Sequence, residues 1–525
     1  MEFHGISQTE TVRRMRGAAY LYVRFGHRRP PTQQTISHTK YNRLEGDYNV
    51  LTSAAEEIKK VCAEHDLIDA GEPALEPEDI DTEGGIGEEK IREAVRLATE
   101  LGFDEFDDPR ASNSKFPLEA YFERQGYLNM TDAGTTTKSR RFERLSRRDN
   151  VPTGSAHHRT MKLVADPDVQ LAIDQFTDDQ RVPEWQRIRD KILPAFHRGV
   201  EKQLDEIAGR DPKGIREPVM AAIDITTIPF WPSPFQSDDE LETEGDPVVF
   251  ETHSGQELEK YPKEDFPEMV SGFKRSNEKK TRRGYKIATI TIVAQDTPVV
   301  LGLEPVRDYR QWETRSRENV ITTSRANIVE RLLEQAEQHV DIHKLFCDRE
   351  FDAHKIRDVV DQRDIQYVHG KQKRSSADYE NVEEIIDDPV YDSRIEHAWA
   401  IYEGRKHKVS IVYKPGGEYS LFTIKGWVDA DRAEALTEQY RKRWTVENKF
   451  KSMKANFLPR TASKDYRIRF IYFIVGCIMY NIWRLANFVL RDEVSGDLGE
   501  DPPILGGEIV ELIGFFLFDP GDLDR

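Results

Sequence analysis

An ionised carboxylate inside an apolar strand is costly unless it is paired or binds a cation, and this chain places two such groups in succession. Residues 218–225, Pro-Val-Met-Ala-Ala-Ile-Asp-Ile, form an apolar run broken only by Asp224. Residues 342–348, Ile-His-Lys-Leu-Phe-Cys-Asp, end on Asp348, and Arg349, Glu350 and Phe351 follow. Between them lie strand patterns over 285–295 and 298–304, with Asp296-Thr297-Pro298 as the hairpin turn, and an amphipathic helix over 326–340. A helix over 353–363 and a strand over 365–369 come next. Either aspartate alone could be structural: Asp348 as an ion-pair partner of Arg349, Asp224 as a turn cap.

Residues 440–454 read Tyr-Arg-Lys-Arg-Trp-Thr-Val-Glu-Asn-Lys-Phe-Lys-Ser-Met-Lys. Projected as a helix at about 100° per residue, Tyr440, Arg443, Glu447, Lys451 and Lys454 fall within an arc of roughly 80°. Val446, Phe450 and Met453 line the neighbouring arc as an apolar stripe to bury. A metal-binding acid flanked by phosphate-binding cations has this pattern. So does a solvated, salt-bridged helix face.

The spacing Tyr-x2-Arg-x3-Glu-x6-Lys, filled by Tyr440, Arg443, Glu447 and Lys454, resembles the signature helix of DDE insertion-sequence transposases, archaeal and bacterial enzymes of the cut-and-paste type. Asp348 with Arg349 and Phe351 resembles the second-aspartate motif of that family. The resemblance covers about residues 216–490. It implies metal-dependent DNA strand cleavage and strand transfer at the terminal inverted repeats of an insertion sequence. Asp224, Asp348 and Glu447 would be catalytic and would hold two Mg²⁺ or Mn²⁺ ions, hard cations that oxygen-only ligands suit. Tyr440, Arg443, Lys451 and Lys454 would grip phosphates. The partners would be double-stranded DNA, both element ends and target, and a second copy of the chain in a synaptic homodimer. Two alternatives stay open: another ribonuclease-H-like nuclease such as a resolvase, and a transposase-derived DNA-binding protein that has lost catalysis.

The order of three strands, helix, strand, helix and strand matches the ribonuclease-H-like arrangement, whose first and fourth strands are neighbours. Asp224 and Asp348 would then sit side by side. Asp348 and Glu447 are separated by 98 residues, more than one helical crossing needs. The alternating segments 396–403, 407–414 and 418–427 suggest a small antiparallel unit there, and the resemblance implies the same. It also implies excision through a hairpin at the element end, with an aromatic from this unit stabilising a flipped base. Trp399 and Trp427 stand at opposite ends of the strand set, and either could instead be the core of the unit.

The fold expected is therefore an α/β ribonuclease-H-like catalytic core, 216–375 and 428–495, with a β-rich insertion over 376–427. An all-α N-terminal region precedes it. Residues 1–44 form a basic arm, 45–215 a helical DNA-binding region, and 496–525 a tail with a short helix. Helical spacing appears over 51–66, 88–102, 117–127, 139–148, 167–177 and 184–208. The segment 232–284 reads as a long acidic loop with a basic end.

A net charge of −19 opposes phosphate binding, which cations drive, but the charge is unevenly spread. Residues 45–110 carry twenty-one acids against six Arg and Lys, whereas 138–162 carry eight Arg and Lys against two acids. Residues 274–286 carry seven cations against one acid. Arg140, Arg141, Arg144, Arg282 and Arg283 are accordingly candidate DNA contacts. Cys62, Cys347 and Cys477 are scattered without metal-ligand spacing, which excludes a disulfide framework and suits a reducing cytoplasm. No continuous apolar segment follows the N-terminal arginines. The uninterrupted apolar run Phe470–Tyr480 is shorter than the roughly 20 residues of a membrane span, and Asn481, Arg484 and Asn487 interrupt the residues beyond it. A buried helix and a cytoplasmic, nucleoid-associated protein without membrane partners are expected. The acidic surplus suits a halophilic archaeon, because a Debye length of about 3 Å at 1 M salt screens self-repulsion. The fold should then persist above molar KCl by circular dichroism; unfolding there, with full activity in dilute buffer, counts against that origin.

Overall fold

The structure, a computed structural model, describes residues 88–103, 106–131, 142–143, 150–165, 182–229, 250–251, 257–258, 269–273, 282–293, 295, 297–306, 324–372, 378, 394–414, 421–443, 450, 453–459, 461, 463, 465–491, 503–509 and 512. All of these belong to one compact unit, Glu88–Arg525. The basic arm, the expected helices 51–66 and 167–177, all of 139–148 but the helical residues 142–143, and most of the tail lie outside the described residues.

Four helices come first: α1 (Glu88–Phe103), α2 (Glu119–Thr131), α3 (Gly154–Ala165) and α4 (Glu184–Arg210). The described residues ahead of 216 contain no strand. Three of the four follow apolar spacing in the sequence. Helix α3 does not announce itself, because its buried face includes His157 and Thr160 beside Met161 and Val164.

The remaining elements are β1 (Val219–Pro229), β2 (Phe250–Glu251), β3 (Glu257–Leu258), β4 (Val270–Phe273), β5 (Arg282–Val293), β6 (Val300–Val306), α5 (Arg325–Glu337), β7 (Ile342–Cys347), α6 (His354–Asp361), β8 (Gln366–Gly370), β9 (Arg394–Tyr402), β10 (Arg405–Tyr413), β11 (Leu421–Lys425), α7 (Ala430–Tyr440) and α8 (Tyr466–Val489). Strands β6, β5, β1, β7 and β8 lie in that spatial order. The β1–β5 and β5–β6 pairs are antiparallel, whereas β1–β7 and β7–β8 are parallel. This is the ribonuclease-H-like order expected from the sequence, with first and fourth strands adjacent.

One expectation is corrected and another extended. Segment 232–284 is not all loop: β2 pairs with β3, and β4 adds to β5. The small antiparallel set expected there is present as β9, β10 and β11, and it is joined to the core sheet. Strand β11 pairs antiparallel with β8 through Phe422↔Gly370, Thr423↔His369 and Ile424↔Val368, so β11, β10 and β9 prolong the core sheet. Unpaired edge groups on β8 are satisfied by that continuation.

Helix α8 is long and apolar enough to cross a membrane, yet its apolar window is wholly buried in the protein. It packs against α1, α3, α4 and β6. At Gly102 a Cβ would lie 2.7 Å from Ile482 Cδ1, so only glycine allows α1 to approach this closely. The polar residues that interrupt α8 have partners. Asn481 accepts from Val300 N at 2.9 Å and donates to Val300 O at 3.1 Å, filling the backbone of β6. Asn487 does the same for Ile504. On β6, fully buried Glu304 is met by Arg189 of α4 and by Arg331 and Gln335 of α5. A buried carboxylate is tolerable only when so paired, and this one ties the helical region to the sheet.

Burial also keeps three histidines neutral. His157 is enclosed, and its Nε2 is 2.9 Å from Gln125 Oε1; desolvation holds its pKa well below the usual histidine value. Burial pushes His197 down to about 4, helped by His339 at 3.1 Å. It pushes His369 down to about 3, helped by Arg357. Each folded pKa is depressed, so the unfolded chain binds these protons first as pH falls below about 6.5. Stability is therefore complete above that pH and is lost progressively toward pH 3. Urea midpoints should fall steadily from pH 7 to pH 4, and His369→Phe, which removes one buried titrating ring, should flatten the decline. A pH-independent midpoint in the parent protein would refute this account.

Candidate active site at the ends of two parallel strands

The register of β1 and β7 ends with Ile223 opposite Cys347, which places Asp224 and Asp348 one step further along neighbouring strands. Side chains alternate across a sheet, so both carboxylates belong to the face of Ala222 and Phe346. Asp224 is half-buried within β1, opposite Thr289 of β5. Its Oδ1 accepts from Ile225 N at 3.0 Å, and its Oδ2 is 3.7 Å from Arg443 Nη1. Asp348 sits just past β7, where its Oδ1 accepts from Arg349 N at 2.7 Å and caps the short 3₁₀ turn Arg349–Phe351. Burial pushes the Cys347 thiol far up; Arg443 opposes this shift, and the two aspartates reinforce it.

Of the stretch read as one helix, residues 440–443, 450 and 453–454 are described. Helix α7 starts earlier, at Ala430 behind the Asp429 cap, and ends at Tyr440. Arg441–Arg443 form a 3₁₀ turn, and Met453–Phe457 a π turn. Over 441–443 and 453–454 projection at 100° per residue fails, because 3₁₀ and π turns wind differently; Phe450 is helical, and residues 444–449 and 451–452 lie outside the described residues. Tyr440 and Arg443 do not share an exposed face with Lys454. They are 2% and 1% exposed, whereas Lys454 is exposed. The Tyr440 ring packs on Phe346 and Phe422, with centroids 6.1 and 5.1 Å away, and its hydroxyl donates to Cys347 O at 3.2 Å. Both side chains are buried in this structure. Glu447 and Lys451 lie outside the described residues, as do Arg140, Arg141, Arg144 and the side chains of Arg282 and Arg283.

Sequence reasoning missed Gly370. A Cβ there would lie 3.1 Å from Tyr440 Oη and 3.2 Å from Arg349 N, so a bare backbone lets α7 and the Asp348 turn close over β8. The only sequence sign is a glycine ending a strand pattern. Among the described residues no group of three His, Cys, Asp or Glu side chains forms a metal site. The two acids supply oxygen donors alone, and the adjacent thiol is held protonated. This set fits a hard divalent cation rather than a soft one.

Tryptophans 399 and 427, expected at opposite ends of the strand set, are brought together. Their centroids are 5.5 Å apart at 70°, and they are 51% and 49% exposed, so neither is core. Lys408 Nζ lies 4.7 Å from the Trp427 ring and 6.0 Å from that of Trp399.

Residues 322–482 match the family described as transposase DDE domain. The matched stretch holds Asp348 and the whole of 440–454; Asp224 lies ahead of it. Among solved structures, the chain is similar to piggyBac transposase in a cryo-EM synaptic complex with hairpin DNA, at 10% identity and a TM-score of 0.43, covering 82% of this chain and 77% of that one. No curated protein matches the chain. Over residues 322–482, then, this chain is similar to transposase DDE domains.

Proposed function

We propose that this chain is a DDE transposase of the insertion-sequence type that cleaves and joins DNA at the terminal inverted repeats of its element. The observation that carries the reading is the pair of aspartates at the ends of adjacent parallel strands, the second within the stretch similar to transposase DDE domains. Asp224, Asp348 and Glu447 hold Mg²⁺ or Mn²⁺. A bound pair of such ions supplies activation of the attacking water or 3′-hydroxyl and stabilisation of the leaving oxygen in an in-line phosphoryl displacement. Rigid strand ends fix the carboxylates, and pre-set charge carries most of the catalytic effect. Lys451 and Lys454 grip phosphates. The enzyme works in the cytoplasm on duplex ends and target, as a homodimer.

Replacing Asp224, Asp348 or Glu447 with Ala should abolish strand cleavage while end binding remains. The three losses should not add, because the ligands act as one unit. Near-wild-type cleavage by any single variant in Mg²⁺ removes the assignment, and wild-type protein that retains ends without nicking them is a DNA-binding protein instead. Lys454→Ala should lower the slope of log affinity against log salt by about one.

The tryptophan pair supports a hairpin route. Register carries Phe346 through Val368 and Ile424 to Ser410 and His397, so Trp399 and Lys408 project from the face that holds the aspartates. Unstacking a base costs a few kcal/mol, which an exposed indole offsets by stacking. Trp399→Ala or Trp427→Ala should still nick the element end but accumulate nicked product without a hairpin. Release of blunt breaks by wild-type protein, with no hairpin at any time point, would rule the route out.

A further inference from the structure

We propose that Asn129, held by Gln125 and His157, is a positioning residue for Lys454, so that the N-terminal helices help to build the phosphate-gripping part of the site. The inference rests on the reading of Lys454 as a phosphate contact. A series of three hydrogen bonds crosses from α3 through α2 into the turn that carries this lysine. His157 Nε2 lies 2.9 Å from Gln125 Oε1, Gln125 Nε2 lies 2.7 Å from Asn129 Oδ1, and Asn129 Nδ2 lies 2.5 Å from the carbonyl oxygen of Phe457.

The direction of the series is forced from its far end. A backbone carbonyl can only accept, so Asn129 presents its amide N–H to Phe457. The Asn129 oxygen is then left to accept from Gln125 Nε2, and the Gln125 oxygen to accept from His157. His157 is therefore the Nε2–H tautomer, and burial keeps it neutral. Gln125 and Asn129 stand four apart on one stripe of α2, the spacing at which helical side chains meet. Every amide in the series thus has one orientation, and the donor offered to Phe457 is fixed in place.

The series ends on backbone rather than on a side chain, at the last residue of the π turn Met453–Phe457. Carbonyls at the end of a helical turn have no partner within it, so a side-chain donor here decides where the turn stops. Helix α8 holds the other side. Cys477 Sγ lies 3.8 Å from Met453 Sδ, and a Cβ at Gly476 would stand 3.3 Å from Phe457 O and 2.7 Å from Leu458 Cδ2. Lys454 therefore stands on a turn fastened at its first residue by α8 and at its last by α2. Turns of the π type are frequent at functional sites. Hydrogen bonds that served packing alone would fix α2 on the core and leave DNA contacts as they are, so the two roles part in the salt dependence of binding.

The test reads the slope of log affinity against log salt for the full chain on a duplex carrying the terminal repeat of its element, with EDTA present so that no strand is cut. Asn129→Ala should lower the slope by about one, as Lys454→Ala does. The Asn129→Ala, Lys454→Ala double variant should fall no further than either alone, because coupled residues do not add. Hydrogen exchange over 453–459 should quicken in Asn129→Ala while circular dichroism is unchanged. Gln125→Ala, which removes the partner that aims Asn129, should shift the slope in the same direction and stands in if Asn129→Ala does not fold. An unchanged slope in a folded variant overturns the proposal, as do losses that add in the double variant. Failure of both single variants to fold also overturns it, since the series is then a packing device. If Lys454→Ala itself leaves the slope unchanged, Lys454 grips no phosphate and the positioning role falls with that reading; a slope lowered by Lys454→Ala and untouched by Asn129→Ala sinks the positioning role alone.

Discussion

Two carboxylates at the ends of adjacent parallel strands repel each other, and every element around them bears on that cost. Each accepts a backbone N–H from the next residue, Ile225 or Arg349. The guanidinium of Arg443 adds a buried positive charge beside Asp224. What remains of the repulsion is the property a metal site needs, since a cation that enters relieves it. Parallel pairing of β1 and β7 is thus more than topology: slipping the register by one residue would send one acid to the opposite face.

The strands were readable because a half-buried sheet alternates and its turns carry Gly and Pro. Strands β1, β5, β6, β7 and β8 followed from that pattern, and the adjacency of the two aspartates from matching their order to the ribonuclease-H-like arrangement. Within 440–454 the motif was legible and the end of α7 at Tyr440 was not. Its residues satisfy one helical projection, but the Asp429 cap starts α7 ten residues ahead of Tyr440, and α7 ends there. Charge count made Arg443 look solvated; pairing with Asp224 is a tertiary contact that no local pattern announces. Helix α3 escaped notice for a related reason, since His157 and Thr160 are buried by partners rather than by hydrophobicity.

Polar residues inside the apolar segments do similar work elsewhere. Asn481 interrupts the longest hydrophobic run of the chain because β6 has backbone groups at Val300 to satisfy. Glu304 on the same strand draws Arg189 from α4 and Arg331 from α5. Removing one partner from such a buried group typically costs 3–5 kcal/mol, so these contacts fix where the N-terminal helices dock. Both are specified by residues that hydropathy alone marks as errors.

Continuity of the sheet sets the geometry of the whole site. From β7 through β8, β11 and β10 to β9, every pair is hydrogen-bonded, and α6 clamps the far end. There Asp358 and Asp361 engage His407 at 2.8 and 2.7 Å, and Asp358 also holds Arg405 Nε at 2.7 Å. Ser410 fastens the near side, donating to Gly426 O at 2.9 Å and accepting from Val428 N at 3.0 Å on either side of Trp427. Had the β9–β11 set been a tethered unit, the indoles could shift relative to Asp348 at little cost. As strands of one sheet they cannot, because moving them means breaking a ladder. Trp399 in β9, Trp427 just past β11 and the acidic pair are thus held at a fixed separation, the constancy that the proposed unstacking of a base at one point and cleavage at another would require.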